Sequence, residues 1–105
     1  MEQTQVIERI KELGKQILPE GASLWLYGSR ARGDARPDSD YDLLILLDKE
    51  KIRMADYDRY MIPLSDLGIS VGEDVRAHIY TKADWKMWRG APFNMNVEED
   101  KIVLQ

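Results

Sequence analysis

Two aspartates separated by one residue, Asp40 and Asp42, are the residues of this sequence best suited to chemistry. Side chains two positions apart in an extended strand project from the same face, so the two carboxylates can act on one ligand. Carboxylate oxygens suit Mg²⁺ or Mn²⁺, and Mg²⁺ commonly takes one or two carboxylates while water and substrate phosphates complete its coordination. The pair therefore predicts a divalent-cation site that is open to a nucleotide.

A second candidate feature is the dipeptide Gly28-Ser29, which directly follows a short apolar and aromatic run. Glycine lets the backbone approach a phosphate closely, and a serine hydroxyl and helix N-terminal amides can donate hydrogen bonds to phosphate oxygens. Arg30, Arg32 and Arg36 add guanidinium groups suited to phosphate, although arginines in a polar loop also balance neighbouring aspartates. Taken separately, each feature also fits an ordinary solvated loop.

The acidic segment has two other interpretations. One is a calcium loop, because Asp38, Asp40 and Asp42 fill the first, third and fifth positions of that pattern. The rest of the pattern fails: Leu43 stands where the turn needs glycine, and Lys49 stands where a bidentate glutamate is required. The other interpretation is an acidic loop with no ligand, which a lone Asp-x-Asp motif leaves open.

The elements that must position these residues follow from apolar spacing and turn residues. The first half of the chain predicts a helix over 2–18, a strand over 23–27, a polar loop with one helical turn over 28–40, and a strand over 41–47. The second half predicts a helix over 52–67 that Pro63 kinks or splits and Gly68 ends, a strand over 71–80, a short helix capped by Thr81, and an edge strand over 102–104. This order predicts an α/β (α+β) fold in which a small mixed β-sheet packs with helices.

Composition limits the function classes. A length of 105 residues suits one domain, and a net charge of -4 argues against a protein that binds nucleic acid through its backbone charge. The absence of cysteine excludes disulfides, thiolate zinc sites and a cysteine nucleophile. The longest apolar run, Leu43 to Leu47, is too short to span a membrane, and the N-terminus lacks a signal-peptide pattern. We therefore expect a cytoplasmic protein with no membrane partner.

The combined segment Gly28-Ser-Arg-Ala-Arg-Gly-Asp-Ala-Arg-Pro-Asp-Ser-Asp-Tyr-Asp-Leu-Leu-Ile45 resembles the signature of the polymerase-beta-like nucleotidyltransferase superfamily. That signature is an apolar strand, Gly-Ser, a spacer of about ten residues, and Asp-x-Asp opening a second strand. The details G-S-x-A-R-G and S-D-x-D-L are similar to the small prokaryotic branch, the minimal nucleotidyltransferases. The resemblance extends across nearly the whole chain and implies the nucleotidyltransferase fold for a single domain over residues 1–105.

The resemblance also implies roles for individual residues. Asp40 and Asp42 would bind two Mg²⁺ ions, with Mn²⁺ as a substitute, and ATP or another nucleoside triphosphate would be the substrate. The cofactor-binding residues that it implies are Gly28, Ser29, Arg30, Arg32 and Ser39. The family also supplies a third carboxylate from the next strand, which depending on alignment falls on Asp74 or on Arg76.

We favour Asp74 as the third metal ligand and catalytic carboxylate, which leaves Arg76 near the substrate as a charge stabiliser. An arginine in the acid's place would instead repel the cations and weaken or abolish catalysis. Asp74, Arg76 and His78 are predicted to share one face of the third strand. His78, the single histidine, is either a proton acceptor or a strand residue bonded to a neighbour, and we favour the second role.

The implied reaction is transfer of a nucleoside monophosphate, AMP foremost, with the third carboxylate accepting a proton from the acceptor hydroxyl. The minimal branch is commonly paired with a helical HEPN-type toxin, and its members can act as antitoxin by adenylylating a tyrosine of that partner. The resemblance therefore implies such a partner here. The alternative is a degenerate module, disabled at Arg76, that neutralises its partner by contact alone.

An aromatic and methionine-containing stretch near the C-terminus has two interpretations. Its large side chains, at Trp85, Met87, Trp88 and Phe93, predict either a docking patch or core packing. We favour core packing, because Trp85 and Trp88 three residues apart lie on one face of a short helix.

Overall fold

The computed structural model describes all 105 residues and contains six α-helices and a four-stranded sheet. The helices are α1 (Gln3–Ile17), α2 (Ser29–Arg32), α3 (Met54–Asp56), α4 (Ile62–Val71), α5 (Lys82–Met87) and α6 (Pro92–Asp100). The strands are β1 (Ser23–Tyr27), β2 (Tyr41–Leu47), β3 (Val75–Thr81) and β4 (Ile102–Val103). A π-helical segment, Tyr57–Met61, joins α3 to α4. None of the helices has the length and apolar character needed to cross a membrane.

The sheet is mixed, as predicted, with strand order β3-β2-β1-β4. β1 pairs antiparallel with β2 and with β4, whereas β2 pairs parallel with β3. β2 is therefore an internal strand with a neighbour on each side, which explains its almost continuous apolar sequence. The register places Asp42 opposite Tyr27 on β1 and opposite Arg76 on β3.

Apolar side chains cover both faces of the sheet, but unequally. On one face α1 and α4 enclose the main core, whose fully buried members include Val6, Ile10, Leu24, Leu26, Leu43, Ile45 and Leu64. The other face carries a smaller cluster of Trp25, Leu44, Leu46, Trp85 and Val97. Because side chains alternate along a strand, Asp42 lies on the same face as Leu44 and Leu46. The candidate catalytic carboxylate is thus on the less covered face.

Most predicted elements are confirmed: the N-terminal helix, β1, the helical turn α2, β2, α5 and β4. Thr81 is the N-cap of α5, since its hydroxyl accepts a hydrogen bond from the Asp84 amide at 3.0 Å. The predicted common face of β3 is also confirmed, because Val75, Ala77 and Ile79 are buried while Arg76 and His78 are exposed. One element was not predicted, the helix α6, which begins at Pro92.

The predicted boundary between the fourth helix and β3 is wrong. The helix continues through Gly68 to Val71 and ends at Gly72, whose φ of +75° is the left-handed conformation that favours glycine. Gly68 instead allows α4 to pack closely against the segment that leads into β3. A Cβ at this position would lie 2.7 Å from the Glu73 carbonyl oxygen and 2.8 Å from Val75 Cγ2. β3 accordingly starts at Val75 rather than at residue 71.

The sequence predicts that Pro63 kinks or splits the helix; it does not split the helix, but the regular α pattern is interrupted just before it by the π-helical segment. Pro63 lies near the start of α4, directly after the π-helical segment in which the Ile62 amide donates to the Tyr57 carbonyl. Proline has no N–H to continue the regular α pattern, and the wider turn before it accommodates this loss without a break.

The expectation of core packing is correct for Trp85 and wrong for Trp88. Trp85 is 4% exposed and lies in the smaller cluster, whereas Trp88 is the C-cap of α5 and is 60% exposed. Because α5 ends at Met87, Trp88 does not continue the apolar helix face that Trp85 belongs to. Met87 is exposed as well, and Phe93 is partly exposed against other aromatic rings.

Candidate active site

The candidate site is built around Asp42, the second residue of β2. Its carboxylate lies directly against Gly28, so that a Cβ at position 28 would meet Asp42 Oδ2 at 2.7 Å. Gly28 also has φ +76° and ψ -160°, a combination reached essentially by glycine alone. The Gly-Ser motif and the Asp-x-Asp motif are therefore in direct contact, as expected if both belong to one site.

The surroundings of Asp42 disfavour its negative charge. Burial raises the pKa of the Asp42 carboxyl above its usual value, and the nearby carboxylate of Asp40 raises it further. Arg76 and His78 act in the opposite direction, and Asp74 adds a smaller repulsion. The charges of Asp40 and Asp74 thus disfavour the ionised form of Asp42, and a cation held beside Asp42 would relieve that repulsion.

Arg76 already supplies one positive charge to this cluster. Its guanidinium Nε lies 3.4 Å from Asp40 Oδ2, and its Nη2 lies 3.0 Å from Asp74 Oδ2. The hydrogen bond from Arg76 lowers the pKa of the Asp74 carboxyl, so that Asp74 stays ionised. All three side chains are at least one-third exposed, with Arg76 at 63%.

The strand register bears on which residue takes the third position. Arg76 stands opposite Asp42, whereas Asp74 comes just before β3 and accepts a hydrogen bond from the Tyr41 amide through its carbonyl at 2.8 Å. Asp74 is therefore two register positions before Arg76, level with Asp40 rather than Asp42. The residue level with Asp42 is the arginine.

The donor set fits one divalent cation. No group of three carboxylate or histidine side chains is arranged to hold a metal ion. Two carboxylates are nevertheless a sufficient protein contribution for Mg²⁺ when substrate phosphates supply the other ligands. Asp40 and Asp42 meet that requirement, since Asp40 makes only an ion pair with Arg76 at 3.4 Å, whereas Asp74 accepts two hydrogen bonds from it.

The side chain of Arg30, predicted to bind phosphate, makes its hydrogen bonds within the protein instead. Its side chain is buried, and it donates to the Ser39 carbonyl at 2.9 Å and to the Pro37 carbonyl at 3.3 Å. It also donates to Gln3 Oε1, and its guanidinium carbon is 4.4 Å from the centre of the Tyr41 ring. Arg30 therefore holds the loop between α2 and β2 in place, which sequence patterning alone did not indicate.

Arg32 and Ser39 also make contacts within the protein. Arg32 pairs with Asp34 at 3.2 Å and with Asp100 at 2.7 Å, which ties α2 to the end of α6. The Ser39 hydroxyl accepts a hydrogen bond from the Arg36 amide at 2.8 Å, which closes a turn just before Asp40. Both residues shape the loop, whereas Ser29 begins α2 immediately beside Gly28 and the Asp42 carboxylate.

Aromatic side chains border the site on the side of α6. Phe93 packs edge-on against Tyr27, with ring centres 5.7 Å apart, and against His78 at 5.9 Å. Burial and the charge of Asp42 raise the pKa of Tyr27 to about 12, so its hydroxyl stays protonated at neutral pH. The sequence places Tyr27 next to Gly28 and so at the site. It gives no such signal for Phe93, which the packing of α6 brings to the site.

An open groove begins at the other side of the cluster. It has a volume of about 510 Å³ and runs between β3 and the start of α4. Its lining residues include Asp74, Arg76, His78, Met61 and Ile62. β3 is the edge of the sheet here, so the groove opens to solvent.

Comparison with known proteins agrees with this arrangement. Residues 4–103 match the nucleotidyltransferase domain family. A 61-residue stretch is 44% identical to a bifunctional uridylyltransferase/uridylyl-removing enzyme of Pseudomonas entomophila (strain L48). That match covers 55% of this chain and 7% of the relative, so the chain spans only a small part of that enzyme's length.

Solved structures share the fold. One, a toxin-antitoxin with AMP-PNP, superimposes with a TM-score of 0.63 at 19% identity over 94% of this chain and 72% of its own. Another, a tri-AMPylated Shewanella oneidensis HEPN toxin in complex with MNT antitoxin, gives a TM-score of 0.59 at 15% identity over 99% and 72%. With a family match that spans nearly all residues and a Gly-Ser turn seated against the aspartate pair, the chain belongs to the nucleotidyltransferase domain family.

Proposed function

We propose that this chain transfers a nucleoside monophosphate, AMP foremost, from a nucleoside triphosphate to a hydroxyl group of a partner protein. The observation that carries the proposal is the contact between Gly28 and the Asp42 carboxylate beside Asp40. A backbone that can approach phosphate and a pair of oxygen ligands for a cation are thereby placed in one small volume. Family membership supports the same reaction class.

Asp40 and Asp42 would hold a divalent cation, Mg²⁺ or Mn²⁺, together with the phosphates of the substrate. When bound, the cation would neutralise charge on the phosphates and favour the ionised form of the acceptor hydroxyl. The missing side chain at Gly28 leaves room for the Asp42 carboxylate, and the next residue, Ser29, would offer a hydroxyl donor to the phosphate chain. Tyr27, His78 and Phe93 form an apolar border on one side of this space.

The chemical step is a substitution at the α-phosphorus. The acceptor hydroxyl oxygen forms a bond to that phosphorus, the bond to the oxygen bridging the α and β phosphates breaks, and pyrophosphate leaves with the electron pair. The hydroxyl proton passes to a carboxylate of the site. Asp74 is our candidate for that carboxylate, because it is ionised, exposed and next to Asp40.

We further propose that the acceptor is a HEPN-type toxin and that the chain acts as its antitoxin. The groove between β3 and α4 leads from open solvent to Asp74 and Arg76, so a protein side chain can reach the cluster from that side. The AMPylated HEPN toxin bound to an MNT antitoxin, a fold relative of this chain, supports this choice of acceptor.

The test is a labelling reaction with the purified chain, Mg²⁺ and lysate of its source cells. ATP, UTP, GTP and CTP, each labelled at the α-phosphate, are used in separate reactions. We expect one labelled protein, strongest with ATP, and no label with Asp42→Asn. Asp38→Asn is the matched control, since Asp38 is an exposed aspartate of the same loop. Labelling that persists in Asp42→Asn contradicts the proposal.

A second candidate function is a module that binds its partner without turnover. The observation that favours it is Arg76, a cation level with Asp42 and bonded to the neighbouring carboxylates. This function predicts capture of a HEPN-type protein by the wild type and by Asp42→Asn alike. It also predicts no label from any of the four nucleotides.

A further inference from the structure

We infer that Arg76 supplies the second positive charge of this site, so that the carboxylate cluster accepts one divalent cation rather than two. The inference rests on the proposed nucleotidyl transfer and specifies how the phosphates are held. Arg76 keeps its hydrogen bonds to Asp74, and with a nucleoside triphosphate bound it also contacts the phosphates. Arg76 is then a substrate-binding residue.

The contacts leave little for a second metal ion. A second ion would draw on Asp40 and on a third carboxylate, and the only one in the cluster is Asp74. Asp74 accepts two hydrogen bonds from the guanidinium of Arg76, at 3.0 and 3.2 Å, and the same guanidinium lies 3.4 Å from Asp40 Oδ2. An ion placed between Asp40 and Asp74 would have to displace the guanidinium of Arg76. Because Arg76 is part of the chain, it stays beside these carboxylates at any protein concentration.

Charge balance gives the same stoichiometry. At formal charges, three carboxylates and one guanidinium leave two negative charges, which one divalent cation neutralises. A second divalent cation would leave two positive charges in the cluster before any substrate bound. That excess positive charge, shared by the ions and Arg76, would be repulsive until the substrate phosphates offset it.

Arg76 is also placed to reach a phosphate. Neighbouring strands lie about 4.8 Å apart, so Arg76 is one strand spacing from Asp42, its register partner. The side chain is 63% exposed, and its Nε and Nη2 are the atoms bonded to Asp74. The Nη1 group therefore remains as a donor, and a planar guanidinium suits the paired oxygens of a phosphate.

A merely structural role makes a different prediction. Exposed ion pairs contribute little to folding, typically about 0–1 kcal/mol. If Arg76 only formed such a pair, its removal would leave metal stoichiometry and nucleotide affinity unchanged. The two roles are therefore separated by binding measurements that need no turnover.

The experiment counts Mn²⁺ by equilibrium dialysis in the presence of saturating AMP-PNP. We expect one Mn²⁺ per chain for the wild type and two for Arg76→Asp, in which a carboxylate replaces the guanidinium. Affinity for Mn²⁺–AMP-PNP should fall about tenfold in Arg76→Gln, as expected for one lost charge-assisted contact, with partial recovery in Arg76→Lys. Arg89→Gln, an exposed arginine after α5, is the matched control and should behave as wild type.

Two Mn²⁺ in the wild type, or one in Arg76→Asp, overturns the inference and leaves nucleotidyl transfer intact. Unchanged AMP-PNP affinity in Arg76→Gln overturns it as well. A wild type that binds neither Mn²⁺ nor AMP-PNP contradicts the proposed function itself, and the inference falls with it. Circular dichroism of each variant shows whether the fold is retained.

Discussion

The Oδ2 atom of Asp42 occupies the place where a side chain at position 28 would begin, 2.7 Å from the ideal Cβ position of Gly28. Two motifs that are fourteen positions apart in the sequence are thus a single packed unit. Because β1 and β2 are antiparallel neighbours with Tyr27 opposite Asp42, the end of one strand meets the start of the other.

Gly28→Ala should lose activity and destabilise the protein. The new methyl group would overlap Asp42 Oδ2, and the backbone at φ +76° and ψ -160° is strained for any residue with a Cβ, at about 1–3 kcal/mol. We expect thermal unfolding to shift down by roughly 4–8 °C per kcal/mol. Gly90→Ala, where a Cβ meets nothing within 4 Å, is the control and should unfold like the wild type. A stable, active Gly28→Ala would show that the site tolerates a displaced Asp42.

Asp42→Asn should abolish nucleotidyl transfer and retain or raise the free energy of unfolding at neutral pH. Burial and Asp40 raise the pKa of Asp42 in the folded state, so its ionised form costs stability above that pKa. Removing the charge removes this cost, and the effect should shrink as the pH falls and wild-type Asp42 is protonated. Urea denaturation of both proteins, from neutral pH down to the pH at which Asp42 is protonated, measures the difference in their free energies of unfolding. A clear destabilisation by the substitution would show that the carboxylate has a structural role.

Asp56→Asn should destabilise the protein at about pH 7 by roughly 1–2 kcal/mol. The Asp56 carboxylate is 3% exposed and accepts hydrogen bonds from the Arg53 amide at 2.8 Å and from Lys49 Nζ at 2.9 Å. The Arg53 bond first, and Lys49 second, lower the pKa of Asp56. Its contribution is therefore present above the unfolded-state pKa of about 4 and is lost as the pH falls through the lower folded-state value.

The measurement for Asp56 is urea denaturation of both proteins from about pH 7 to about pH 3. The two curves of stability against pH should converge at the acidic end. Asp58→Asn, at an exposed aspartate two residues away, is the matched control. A constant difference at every pH would mean that the loss arises from packing rather than from the charge.

Arg30→Lys should destabilise the protein by about 1–3 kcal/mol even though the charge is kept. A lysine cannot donate at once to the carbonyls of Pro37 and Ser39 and to Gln3, nor stack on Tyr41 as a planar group. Limited proteolysis should then cut the loop between α2 and β2 faster. Arg59→Lys, at an exposed position, is the control. Unchanged stability combined with weaker AMP-PNP binding would return Arg30 to the phosphate-binding role.

The elements that could be predicted from the sequence are those with strong local signals. The helical spacing of Val6, Ile10 and Leu13 and the apolar run of β2 depend only on the period of burial. α6 was not predicted because its apolar face is narrow: Val97 is buried, Phe93 is partly exposed and Met95 is exposed. The end of α4 was missed because glycine serves two purposes, close packing at Gly68 and the left-handed turn at Gly72.

For the site, the sequence by itself determined which residues are candidates: a glycine and a serine after one strand and two aspartates at the start of the next. Residue types and short spacings were sufficient, because ligand preference and strand alternation are local properties. Only the tertiary structure decided where Arg76, Arg30 and Phe93 lie and which residues they contact. Strand register sets Arg76 level with Asp42, burial commits Arg30 to loop carbonyls, and helix packing brings Phe93 to Tyr27. These are relations between distant segments, which depend on how the whole chain packs and on no local pattern.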